Sequence, residues 1–274
     1  MGRYIKYEIK GSYKFILGVL ALVLILITGI YVYVDSVNEP SAFGATMVGL
    51  SSLVMFGTAL TTFLYIVGSF RKELYEDRGY LTFTLPLTGN QILGAKLIVA
   101  IIWFLLLGFV VGSYNILMMM KFVPIEYNTI DFSQIFSVFS KELVVILTMG
   151  FIGGVNTLIL IYFSMALSRV TFRNKKIGGL WFIIFLVLSG IIAYGQVKIA
   201  TALPYYIDLN TFKVSTMDIL GYHLGITVNA NQGLMITGDM GHSFLNIAGF
   251  IYSIAIGVLS FLGTGYIIEN KIDL

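Results

Sequence analysis

Apolar residues run along this chain in six uncharged blocks: Phe15–Val34, Phe43–Phe70, Leu97–Met120, Leu143–Ser168, Ile177–Val197 and Ser243–Ile268. None of them contains Asp, Glu, Lys, Arg or His. A helix needs roughly 20 such residues to cross about 30 Å of hydrocarbon, and each block is that long. The four prolines, Pro40, Pro86, Pro124 and Pro204, all fall between blocks. Each block is therefore free to form an unkinked helix whose backbone groups bond internally. The pattern predicts an all-α membrane protein, one transmembrane domain of six helices over residues 1–274.

The segments between blocks have their own periodicity. In the N-terminal stretch, Ile5, Ile9, Tyr13 and Ile16 share one face at helical spacing, and Arg3, Lys6, Lys10 and Lys14 cluster a quarter-turn away. That predicts an interfacial helix with cations reaching lipid head groups; the plainer reading is a basic flank before the first span. The first block is followed by Tyr-Val-Tyr-Val-Asp, not by a small-residue cleavage site, so it reads as a retained anchor. Lys6 stands where a myristoylation site needs Ser or Thr. Two other connections are long: Lys121–Glu142, and Lys198–His242, which is apolar enough to pack on the membrane face or dip into it. There is no fixed-spacing repeat.

Composition agrees with a lipid-solvated chain: 11% of residues are charged, and mean hydropathy is +0.91. Soluble domains carry about 25% charged residues. A net charge of +3 offers no nucleic-acid surface, and the absence of Cys removes disulfides, thiolate metal sites and Cys nucleophiles. Lys and Arg orient the chain. With six spans both termini share a side, and thirteen of the 17 cations fall there, in 3–14, 71–96, 169–176 and at Lys271. The positive-inside rule then makes that side cytoplasmic and 198–242 extracellular.

The densest mixture of charge, Pro and Gly lies in 71–96. Gly89-x4-Gly94-Ala-Lys96 mimics a phosphate-binding loop, but Ala95 follows the second Gly and Leu97 follows the Lys. A working motif places Lys, then Ser or Thr, there. Thr88-Gly-Asn-Gln91 fits a capping box instead, so a helix is expected to begin near Gly89 and run into the third span. Tyr80–Leu85 alternates apolar and polar residues, and Pro86 disfavours a helical Leu85, which predicts a short extended piece. A charged helical turn over Lys72–Arg78 precedes it. The acids Glu73, Glu76 and Asp77 and the aromatics Tyr75 and Tyr80 then suit a docking surface.

The run Lys72-Glu-Leu-Tyr-Glu-Asp-Arg-Gly-Tyr-Leu-Thr-Phe-Thr-Leu-Pro-Leu-Thr88, followed by Ile92-Leu-Gly-Ala-Lys-Leu-Ile98, resembles the loop after the second span in ABC-2 type transporter permeases of Gram-positive bacteria. Lys6-Tyr-Glu-Ile-Lys10 resembles their start. The resemblance implies that Glu73, Leu74, Tyr75, Glu76, Asp77, Arg78, Gly79 and Tyr80 form the coupling helix that docks on an ATP-binding cassette ATPase subunit. It implies that the N-terminal stretch, with Ile5, Lys6, Ile9, Lys10 and Tyr13, is the elbow helix. Short helices between the fifth and sixth spans would re-enter from outside. Two permeases, identical or homologous, would pair in the bilayer. This chain would bind no cofactor, and ATP and Mg would sit on the partner subunit.

The remaining chemistry is sparse. Proton relays and ion-coupled carriers place ionisable groups at mid-membrane; the six blocks have none. Gly108–Gly112 and Gly150–Gly154 are GxxxG pairs, and with 29 Gly they carry little weight as helix contacts. A membrane-embedded enzyme would have to use His223 with Asp218 or His242 with Asp239. A sensor or immunity subunit responding to a peptide would share the whole architecture. The expectation taken forward is a permease that exports a hydrophobic or amphiphilic cargo, such as a peptide antibiotic, a lipid or a drug, on ATP hydrolysed elsewhere.

Overall fold

The computed structural model describes residues 1–36, 40–76, 86–122, 141–171, 179–208, 212–216, 225–229, 233–237 and 244–271. Six long helices dominate: α1 (Gly2–Ser36), α2 (Pro40–Tyr75), α3 (Gly89–Phe122), α4 (Lys141–Thr171), α5 (Leu180–Ala202) and α6 (Ile247–Asn270). Each uncharged block lies largely within one of them, and all six are long and apolar enough to cross a membrane. The chain is thus a multi-pass membrane protein with six candidate spans. The helices divide between two compact units, one of Met1–Asp131, Met165–Ile177 and Gly263–Leu274, the other of Phe132–Ser164 and Gly178–Leu262.

In the first unit α1 and α3 are parallel partners. Glu8 meets Lys96, Ser12 meets Trp103, Thr28 meets Tyr114 and Tyr31 meets Asn115, at nearly constant sequence offsets of 88, 91, 86 and 84. Between these polar rungs lie Ile16, Val23 and Ile27 of α1 and Val99, Trp103, Leu107 and Val111 of α3, all buried. Their spacing of four and seven residues lines up one face of each helix, the seam of two packed helices. The helix α2 runs the other way, with Phe15 stacked on Tyr65 at 4.1 Å and Glu73 near Tyr4.

The expected interfacial helix is not set off from the first span. Residues 2–36 form one helix of 35 residues, about 52 Å long at 1.5 Å per residue. Ile5 and Ile9 pack beside Ile16, Val99 and Trp103 of the α1–α3 seam, so their apolar face is taken by α3 and not by lipid. No proline interrupts the stretch, and the overhang beyond the hydrocarbon gains a neighbour by continuing straight.

In the second unit, Asn156 of α4 donates from Nδ2 to Ser253 Oγ of α6 at 3.2 Å. A Cβ on Gly257 would collide with Asn156 Oδ1, and a Cβ on Gly195 of α5 would sit 2.5 Å from Tyr252 Oη. These helices touch where a glycine lets a polar side chain in. The GxxxG glycines do not do this: at Gly108, Gly112, Gly150 and Gly154 an added Cβ would meet nothing within 4 Å.

The segment after α5 departs from the all-helical expectation. Its described residues form strands β1 (Tyr205–Asp208), β2 (Val214–Thr216), β3 (Gly225–Asn229) and β4 (Gly233–Thr237), and β5 (Phe244–Asn246) leads into α6. One antiparallel sheet has the order β2-β1-β5, and β3 and β4 pair as a hairpin. Short runs rich in Tyr, Ile, Val and Thr favour a pleated surface over a helix. The re-entrant helices expected there are absent among the described residues.

The glycine contacts predict a contrast. Gly257→Leu should destabilise the purified protein by about 1–3 kcal/mol through overpacking against Asn156, whereas Gly108→Leu should leave the thermal midpoint in detergent unchanged. Equal midpoints for the two variants would show that the α4–α6 contact is not tight.

Candidate functional site: an ion cluster where α2 ends and α3 begins

Three charged side chains from three helices meet where α2 ends and α3 begins. Glu8 is the lone acid among the cations of the N-terminal stretch. It lies one turn after the buried Tyr4, on the face that α1 turns toward α3. Glu73 lies between Phe70 and Leu74, both buried, so the last turn of α2 points it inward. Lys96 sits between buried Ala95 and Leu97 on α3 and is only 4% exposed. Lys96 Nζ donates to Glu73 Oε1 at 2.7 Å and to Glu8 Oε1 at 3.1 Å. Tyr4 Oη lies 3.5 Å from Glu73 Oε2, at the limit of a hydrogen bond.

Such a cluster is not a cheap source of stability. Desolvating three charges costs several kcal/mol per ion, and only close geometry recovers it. Its worth is in position: one ammonium held by two carboxylates ties α1, α2 and α3 at a single point. A further contact extends the tie, since Trp103 Nε1 donates to Ser12 Oγ at 2.9 Å and Ser12 Oγ donates to the Glu8 carbonyl at 2.8 Å.

The neighbouring helix ends join the same region. Tyr75 Oη donates to the Met165 carbonyl of α4 at 3.2 Å, and the Arg169 guanidinium stands 5.8 Å from the centre of the Tyr75 ring. The start of α3 is closed by the expected capping box: Gln91 N donates to Thr88 Oγ1, and Thr88 N donates to Gln91 Oε1, both at 3.3 Å. Gly89 N donates to Glu269 Oε2 of α6 at 3.3 Å, placing a carboxylate at the positive end of α3. Here too glycine is required, because a Cβ on Gly89 would strike the Gly265 carbonyl oxygen and one on Gly265 would strike the Asn90 side chain.

These contacts reassign the residues singled out in the sequence. Glu73, Leu74 and Tyr75 form the final turn of α2. Leu74 is buried, and Glu73 and Tyr75 are engaged within the chain. Glu76 is exposed. Asp77, Arg78, Gly79 and Tyr80 lie outside the described residues, as does the expected extended piece over 80–85. In the N-terminal stretch Lys6, Lys10 and Tyr13 are exposed, while Ile5 and Ile9 are partly buried. Residues 89–96 are helical, so the phosphate-loop likeness has no loop behind it, and Lys96 faces carboxylates. His223 and His242, with Asp218 and Asp239, lie outside the described residues.

Sequence reasoning missed Glu8 and Lys96 as partners. The available signal was positional: Glu8, Glu73 and Lys96 each flank a block that contains no charge. Among the described residues no three metal-ligating side chains gather. A cleft of about 150 Å³ between α2 and α3, lined by Met55, Ala59, Phe104, Gly108 and Val111 with Thr58, is apolar. Its hydroxyl, on Thr58, donates to the Val54 carbonyl at 2.7 Å.

Removing the ammonium should expose how much the cluster holds. Lys96→Met leaves two inward carboxylates facing each other and should cost about 3–5 kcal/mol, read as a lowered thermal midpoint in detergent. Adding Glu8→Gln and Glu73→Gln should recover most of that loss. A Lys96→Met protein as stable as the parent would show that the cluster does not tie the helices.

Comparison of the chain with protein-family models, with curated proteins and with solved structures finds no match. What the cluster is for rests on its geometry and on its place between the end of α2 and the start of α3.

Proposed function

We propose that this chain is the permease subunit of an ATP-binding cassette transporter, exporting a hydrophobic or amphiphilic cargo on ATP hydrolysed by a separate ATPase subunit. The observation that carries the reading is where the ion cluster lies. The loop that resembles an ATPase-docking segment leaves α2 three residues after Glu73 and returns into α3 seven residues before Lys96. A push on that loop meets a base in which α1, α2 and α3 are tied by charge and α2 is tied to α4 through Tyr75. Force applied at the loop then moves the helices together instead of bending one of them.

Two features of the sequence support an external energy source. The six blocks hold no ionisable residue to carry a coupling ion, and the cations sit on the side where a soluble ATPase would bind. In this reading the cytoplasmic loops are 71–96 and 169–176, and both termini are cytoplasmic. ATP and Mg stay on the partner. ATP binding closes two partner subunits, each presses on one loop, and a pair of permeases alternates access. The docking contact is carried by Glu76 and the residues after it, since Glu73, Leu74 and Tyr75 serve the interior.

The test is charge reversal at the loop. Glu76→Lys with Asp77→Lys should lower the amount of ATPase that co-purifies in mild detergent by about tenfold, equivalent to about 1.4 kcal/mol, while membrane insertion stays intact. A chain that is purified without any stoichiometric nucleotide-binding partner, even after crosslinking in the native membrane, overturns the assignment itself.

A further inference from the structure

The sheet that follows α5 has two unlike faces. Tyr206 is buried, and its pairing partners are Ser215 and Asn246. Side chains alternate along a strand and directly paired residues share a face, so Tyr205, Ile207, Val214, Thr216 and Leu245 make up the other face. There Tyr205 is 51% exposed and Val214 59%. Phe212, just before β2, is 61% exposed and has a backbone φ of 54°, a left-handed conformation that a bulky side chain rarely adopts. The chain holds an aromatic ring outward at a conformational cost, which points to something for that ring to meet.

The height of the sheet along the spans is set by covalent and hydrogen-bonded joints. β1 begins three residues after α5 ends, and β5 runs into α6 without a linker. Asn246 locks both joints: its Nδ2 donates to the Leu203 carbonyl at 3.0 Å, and its Oδ1 accepts from Gly249 N at 2.7 Å. On α5, Lys198 stands 5.6 Å from the centre of the exposed Tyr194 ring. Aromatic and cationic side chains of this kind mark the membrane–water boundary. Ala202 lies four residues further, about 6 Å along the helix, and the head-group layer is about 5–8 Å deep. By this measure α5 ends within that layer, and the Asn246–Leu203 bond holds the edge of the sheet beside the helix end.

We propose that the face bearing Tyr205 and Val214, together with the exposed Phe212 beside it, is embedded in the phospholipid head-group layer at this end of the spans. The interface suits its chemistry. Tyrosine combines an apolar ring with a polar tip, valine and phenylalanine gain by leaving water, and exposed Lys213 between them reaches phosphate on a flexible stem. A face of this kind left in water would be an aggregation liability.

The natural absence of Cys makes the test clean. Tyr205→Cys and Val214→Cys are each spin-labelled in the full chain, reconstituted in phosphatidylcholine–phosphatidylglycerol vesicles, and probed for collision with oxygen and with a water-soluble nickel chelate. Glu76→Cys serves as the aqueous reference and Leu186→Cys, exposed on α5, as the lipid reference. Both positions are surface-exposed, so labelling disturbs no packing; Phe212→Cys supplies a third site if either variant is lost. The expected oxygen-to-nickel ratio at 205 and 214 is several-fold above that of Glu76→Cys and below that of Leu186→Cys. A ratio equal to the aqueous reference overturns the proposal by placing the face in water. Protection from both reagents overturns it by showing that another protein surface, such as a second copy, covers the face. Neither result bears on whether the chain works with an ATPase.

Discussion

A charge in a poorly solvated site must have its counter-charge within reach, and Lys96 meets that condition by drawing carboxylates from two other helices. That single requirement explains much of the first unit. It fixes the rotation of α1, because Glu8 must face α3, and so it places Tyr4 and Ser12 on the same side. It fixes the rotation of the last turn of α2, which turns Leu74 inward and leaves Arg71 and Lys72 exposed. It also sets the register of α1 against α3, which the rungs at Trp103, Tyr114 and Asn115 then repeat toward the far end.

The two ends of that seam are held by different physics. Near the loop the ties are ionic and strong when intact. Deeper in the span they are hydrogen bonds between hydroxyl, amide and phenol groups, worth about 0.6 kcal/mol each on average in a bilayer. Apolar packing between them is shared with lipid, which is as apolar as leucine, so it holds the helices through shape more than through hydrophobicity. A seam that is stiff at one end and weakly tied along its length transmits displacement from the stiff end. The second unit relies on glycine notches, Gly257 for Asn156 and Gly195 for Tyr252, which allow close approach without charge.

How much of this was legible beforehand depended on the range of the interaction. The six helices were legible because an uncharged block of sufficient length is a local property, and lipid leaves the backbone no alternative. The capping box at Thr88–Gln91 was legible because its partners are three residues apart. The Glu8–Lys96 pair spans 88 residues, and nothing local to either residue names the other. Ile5 and Ile9 showed an apolar face, yet periodicity alone does not say whether lipid or α3 covers it. The strands after α5 were missed because the resemblance supplied helices, while Tyr205-Tyr-Ile and Gly225-Ile-Thr-Val carried the β-forming residues in plain view. Glu73 and Tyr75 were read as part of a docking surface from charge and aromaticity, and Leu74 through the resemblance. The same charge and phenol suit Glu73 to bind Lys96 and Tyr75 to bind Met165, while Leu74 is buried.

That last reassignment changes where recognition can occur. A residue already engaged within the chain cannot also be the contact that distinguishes one partner from another without breaking its internal bond. If Glu73 turned outward to a partner, Lys96 would lose the shorter of its two ion pairs, and the tie between α2 and the other two helices would go with it. In the proposed permease reading, specificity for a partner would belong to Glu76 and to the residues that follow it, with Glu73 behind them as a fixed point of the helix ends. Two roles separate in the sequence under the same proposal: a substitution beyond Glu76 would change what binds, and a substitution at Glu73 or Lys96 would change whether binding is felt by the helices.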